Sequence, residues 1–123
     1  MKMFRLVIGL VSILAMAGGL AGVAQAQERR VLLVRIDGII DPVVERFIAR
    51  AVERAEEEGA ELLVIQLDTP GGLLSSTRKI TQHLLEADIP SAVYVAPRGA
   101  RAASAGTFIT ASANFAVMAP GRY

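Results

Sequence analysis

The sequence predicts an α/β fold with a largely parallel sheet. Three observations predict it. Short apolar, β-branched runs recur along the chain, amphipathic helical patterns separate them, and turn residues mark the junctions. With 123 residues the chain has room for one domain at most.

Residues 1–26 stand apart. Lys2 and Arg5 precede an uncharged run whose most apolar part is Leu6–Met16, and small residues lead to Ala24-Gln25-Ala26. A positive start, a short apolar core and an A-x-A site predict a secretory signal peptide cleaved after Ala26. An uncleaved membrane anchor is the rival, because the run approaches the ~20 residues that span a bilayer. Gly18, Gly19 and Gly22 weaken that helix. Either way, residues 27–123 are expected outside the cytoplasm.

Within residues 27–123 each element follows in turn. Val31–Ile36 reads as a buried strand, broken by Asp37-Gly38. Asp41 before Pro42 forms an N-cap with proline at the first helical position. From there Val44, Phe47, Ile48, Ala51, Val52 and Ala55 recur at helical spacing, with Glu45, Arg46, Arg50, Glu53, Arg54 and Glu56–Glu58 opposite, up to Gly59. The run Glu56–Glu58 reads as a solvated face. Leu62–Leu67 is a second buried strand, closed by Asp68-Thr69-Pro70-Gly71-Gly72. Leu73, Thr77, Ile80, Leu84 and Leu85 trace a second helix that ends near Asp88-Ile89-Pro90. Ala92–Val95 is a third strand, and Gly99–Gly106 leads into a third helix of about ten residues. Phe115–Met118 is a fourth strand, stopped by Ala119-Pro120-Gly121. Four short strands are near the minimum for a covered parallel sheet, so the chain reads as the front part of a longer protein.

Composition removes several function classes. Hydrophobic residues make up 53% and charged residues 20%, which excludes disorder. The net charge of +1 comes from Lys2 and Arg5; without them it is −1, too even for a nucleic-acid binder. With no cysteine and one histidine, a Cys/His zinc site and a disulfide framework are excluded. No metal or other cofactor is expected.

In a parallel α/β sheet, sites form beyond the carboxyl ends of the strands. Two segments there carry chemistry. Gly71-Gly72 can turn the backbone so that N–H groups meet a negative oxygen at a helix N-terminus, or can be a tight turn without a ligand. Ser104, between Ala103 and Ala105-Gly106, has the setting of a nucleophile elbow, or caps the third helix. Spacing alone leaves both pairs of readings open.

The stretch from Leu67 to Gly121, with its TPGG turn and AASAG segment, resembles the NfeD-type membrane-bound serine proteases of the Clp-protease/crotonase-like superfamily. The first strand and the turn Asp37–Pro42 also resemble that family's start. The resemblance implies a Clp-protease/crotonase-like layered fold, with residues 27–123 as the N-terminal part of the protease domain. It makes Ser104 the nucleophile, Gly71 and Gly72 the oxyanion turn, and the Ala105 N–H the second donor. The family pairs its serine with a lysine on a segment after the strand that here is Phe115–Met118, and the sequence ends before it. The resemblance further implies a hydrophobic polypeptide substrate, a stomatin-like membrane protein as partner, membrane association and a homo-oligomer in the full-length form.

The lysines here are Lys2 and Lys79. Lys79, among Thr77, Arg78 and Gln82, reads as a solvated helix residue, whereas a lysine base needs burial to lower its pKa. His83, beside Leu84 and Leu85, edges the core, and no motif places an acid for a triad. The isolated chain is therefore expected to be inactive. Two other readings remain at this stage: a non-catalytic binding or assembly module, and a crotonase-like acyl-CoA enzyme, which an export signal opposes.

Overall fold

The computed structural model describes residues 28–121. Strands and helices alternate: β1 (Val31–Asp37), α1 (Pro42–Glu57), β2 (Leu62–Asp68), α2 (Leu74–Glu86), β3 (Ser91–Val95), α3 (Ala105–Ser112) and β4 (Phe115–Met118). The expected signal segment lies outside the described residues.

The strands form one parallel sheet in the order β1-β2-β3-β4. Parallel neighbours need crossover helices, and right-handed crossovers that always step the same way lay every helix on one face. Accordingly α1 packs on α2, and α2 on α3. The core lies between that layer and the sheet. Leu63, Ile65 and Leu67 of β2 are fully buried there, each contributing about 1.5–3 kcal/mol. Ile48 and Ala55 of α1, Ile80 of α2 and Ile109 of α3 close over them.

The cap of α1 forms as its sequence dictates. Asp41 Oδ1 accepts from the Val43 and Val44 amides, both at 2.8 Å, and Pro42 needs no acceptor. Several side chains depart from the periodic reading, among them Phe47 and Leu73, read in the apolar stripes yet exposed. Glu45, read as outward, is buried at 9% exposure because α2 crosses α1 over it. Leu85, read as part of the apolar stripe, is 71% exposed. Glu56, from the run read as solvated, is half-buried and its carboxylate accepts the Asp88 amide at 2.9 Å.

The strands read as buried are covered on one face. Leu33, Val64, Ala92 and Phe115 are register partners in one row across the other face. Leu33 and Phe115 are exposed, and all four residues of β4 are exposed. An apolar run shows that a strand can be buried on both sides; it does not say which neighbour covers it. The third helix is eight residues long, not ten, and ends at Ser112, whose hydroxyl donates to the Ile109 carbonyl at 2.8 Å.

Candidate active site

The turns that follow the adjacent strands β2 and β3 lie together at the carboxyl edge of the sheet, and they are stitched to each other. Thr69 and Ala102 form an isolated parallel bridge. The Thr69 amide donates to the Arg101 carbonyl at 2.7 Å, and the Ala103 amide donates to the Thr69 carbonyl at 3.1 Å. Asp68 Oδ1 accepts the Arg101 amide at 2.9 Å. The segment leading to Ser104 is thus held in register against the end of β2.

Ser104 closes that segment in a conformation that few side chains adopt, φ 51° and ψ −110°. Such backbone costs of order 1–3 kcal/mol and persists only where its surroundings dictate it. Small neighbours provide those surroundings. A β-carbon on Gly106 would come within 2.7 Å of Thr69 Cγ2 and 3.3 Å of Ala102 Cβ, so α3 can start this close to β2 only with glycine there. Ser104 makes no side-chain capping bond to α3. The capping reading of Ser104 is therefore set aside: the residue precedes the helix, yet its exposed hydroxyl does not serve the helix.

The glycine turn faces it. Gly71 has φ +120°, and a β-carbon on it would lie 2.8 Å from Ser104 Cβ and 3.2 Å from Ser104 Oγ. A β-carbon on Gly72 would overlap the Ile40 carbonyl. Ile40 and Gly72 form a second isolated bridge, in which the Ile40 amide donates to the Gly71 carbonyl at 2.9 Å and the Leu73 amide donates to the Ile40 carbonyl at 2.8 Å. The Gly71 amide donates to Thr69 Oγ1 at 3.0 Å. Among the described residues, the amides of Gly72 and Ala105 meet no acceptor. Each lies one residue along the chain from the Gly71–Ser104 contact. Ala105 is also the first residue of α3, where helix amides lack partners and carry the positive end of the dipole. Two free donors beside an exposed hydroxyl can hold the carbonyl oxygen of a group that the hydroxyl attacks, as that oxygen becomes an oxyanion.

Neither candidate base reaches this point. Lys79 Nζ lies 3.9 Å from Glu45 Oε2, and His83 Nε2 lies 3.5 Å from Glu45 Oε1. Both side chains are committed to the α1–α2 seam, and neither hydrogen-bonds Ser104. The other serines also sit apart in environment: Ser75 is exposed, Ser76 is buried in α2, and Ser112 bonds its own helix. Thr69 is a residue of this site to which sequence reasoning gave no separate role. The signal available for Thr69 was its place two residues before the glycine pair, where a short hydroxyl can bond a turn amide.

A family model described as the NfeD1b N-terminal domain matches residues 30–123. The chain is 40% identical over 91 residues to the membrane-bound protease PH1510 of Pyrococcus horikoshii, covering 74% of this chain and 21% of that protein. It is 30% identical over 98 residues to the membrane protein NfeD1b of Bacillus subtilis, covering 80% of this chain and 22% of that protein. The chain thus spans about a fifth of the length of these curated relatives. Among solved structures it is similar to a mutant of the 1510-N membrane-bound stomatin-specific protease in which a serine is replaced by alanine. There the TM-score is 0.74 at 37% identity, over 75% of this chain and 44% of that one. A mutant of the same protease with a lysine replaced by alanine, in complex with a substrate peptide, gives TM-score 0.74 and 37% identity, over 76% and 43%. A ClpP1 from Listeria monocytogenes, at TM-score 0.54 and 19% identity over 68% of this chain and 46% of that one, shares the fold. The architecture is Clp-protease-like.

Proposed function

The chain belongs to the NfeD1b N-terminal domain family, and on that premise we propose that it supplies the nucleophile and oxyanion hole of a Ser-Lys serine endopeptidase. The observation that carries the proposal is Ser104 at φ 51° with an exposed, uncapped hydroxyl, packed against the Gly71-Gly72 turn. A serine in such backbone has a stability cost that a capping role does not need. The relatives support the class of chemistry. One is a membrane-bound protease, and two solved neighbours are its serine and lysine mutants, the second with a substrate peptide.

In the proposed mechanism a lysine on a segment following β4 removes the proton from Ser104 Oγ, and the oxygen attacks a peptide carbonyl. The Gly71-Gly72 turn and the Ala105 amide hold the tetrahedral oxyanion, with Gly72 N–H and Ala105 N–H as donors. The lysine returns the proton to the leaving amine, and water then releases the acyl-enzyme. Losing one donor typically costs ~2.7–4 kcal/mol in the transition state. The substrates are hydrophobic segments of membrane or exported proteins, with a stomatin-like membrane protein as the partner. Residues 1–26 direct the domain to the non-cytoplasmic side of a membrane, and the full-length enzyme works as a homo-oligomer. Residues 27–123 by themselves are inactive, because Lys79 lies on α2 beside Glu45 and makes no hydrogen bond to Ser104. Among the described residues no helix is long and apolar enough to cross a membrane.

The test is acyl-enzyme trapping. The full-length protein is mixed with a hydrophobic peptide ester, quenched with acid and digested. The acyl group is expected on the peptide that holds Ser104. A Ser104→Ala variant that hydrolyses at the parent rate would overturn the assignment, leaving a non-catalytic module with the fold alone.

A further inference from the structure

Resting on the serine-protease reading above, we infer that Thr69 is the positioning residue of the oxyanion hole: its buried hydroxyl fixes the direction of the Gly72 amide. Thr69 is fully buried at 0% exposure. Its hydroxyl accepts the Gly71 amide at 3.0 Å and donates to the Gly71 carbonyl at 3.2 Å. Both bonds go to one residue, and that residue is the glycine at φ +120° in contact with Ser104.

The peptide bond makes this local grip act at a distance. The Gly71 carbonyl and the Gly72 amide belong to one planar trans unit, so their bonds point in opposite directions. The Gly71 oxygen is held twice, by Thr69 Oγ1 and by the Ile40 amide at 2.9 Å. Holding it there aims the Gly72 N–H the other way. The same hydroxyl occupies the Gly71 N–H, so Gly72 is the glycine of the pair left with a free donor.

Thr69 also governs the second donor. Its main chain bonds Arg101 and Ala103 at 2.7 and 3.1 Å, which sets the register of the segment running into Ser104 and Ala105. Its methyl group marks where Gly106 can approach. One residue that touches no substrate thus sets both donors relative to the nucleophile, and misplacement by about 1 Å at a reacting centre costs on the order of 10²-fold.

Two measurements test this in the full-length protein. Thr69→Val keeps the shape and removes the hydroxyl; kcat is expected to fall about 10²-fold with KM within a few-fold of the parent. Thr69→Ser restores the hydroxyl and is expected to recover most of kcat. A purely structural role would lower the folded fraction in both variants and leave kcat per folded molecule unchanged, and that outcome would overturn the inference. The second measurement is amide hydrogen exchange in the unsubstituted protein, which needs no variant to fold. The Gly71 amide is expected to be protected and the Gly72 and Ala105 amides to exchange fast; equal exchange at Gly71 and Gly72 would also overturn it. Failure of the protease reading itself shows separately, as undiminished hydrolysis by Ser104→Ala.

Discussion

Gly71 and Ser104 meet so closely that a β-carbon on Gly71 would stand 2.8 Å from the β-carbon of Ser104. Gly71→Ala therefore acts on Ser104 directly, both by contact and through the strain of a side chain at φ +120°. Hydrolysis by the full-length enzyme is expected to fall by about 10²-fold or more. Circular dichroism should stay close to the parent spectrum, since Gly71 and Ser104 both lie outside the helices and strands.

Ser104→Gly and Ser104→Ala separate strain from chemistry. Both remove the hydroxyl and should end turnover. Glycine relaxes at φ 51° whereas alanine does not, so the glycine variant is expected to be the more stable of the two by about 1 kcal/mol in urea denaturation. Equal stabilities would show that the Ser104 backbone is unstrained. Ser75→Ala and Ser112→Ala should keep most activity.

Lys79→Ala should leave hydrolysis by the full-length enzyme at the parent rate. The Lys79–Glu45 pair spans 3.9 Å with the lysine side chain 65% exposed, and such pairs contribute about 0–1 kcal/mol. Residues 27–123 alone should hydrolyse no hydrophobic peptide. Activity in that piece, lost on Lys79→Ala, would move the base to α2.

Intact-mass measurement after expression in a secreting host should give a mature N-terminus at Gln27. A full-length mass in the membrane fraction would instead make residues 1–26 an anchor.

Much of this fold was legible because helix and strand periods depend on local pattern. Asp41-Pro42 announced α1, and the β-branched runs announced all four strands. Glu45 was not legible: its neighbours Arg46 and Glu53 face water, and what buries Glu45 is α2, which begins only at Leu74. The open face of Val31 and Leu33 escaped for the same reason, since coverage belongs to the partner and not to the strand. At the site, Gly71, Gly72 and Ser104 stood out by composition. Whether Ser104 caps α3 depends on its backbone angle, set where its segment packs against Thr69 and Gly71, whereas the Thr69 hydroxyl bonds to Gly71 are local to one turn.

The strand order β1-β2-β3-β4 also permits a particular sequence of events. Each βα unit docks on the unit made just before it, so a chain emerging from its N-terminus can add one finished layer at a time, with no long loop left to close. The glycine turn belongs to the unit of β2 and α2, and Ser104 to the unit of β3 and α3. On that route the Gly71-Gly72 turn is built first. Ser104 is bent into its strained shape only when it arrives against a surface already in place.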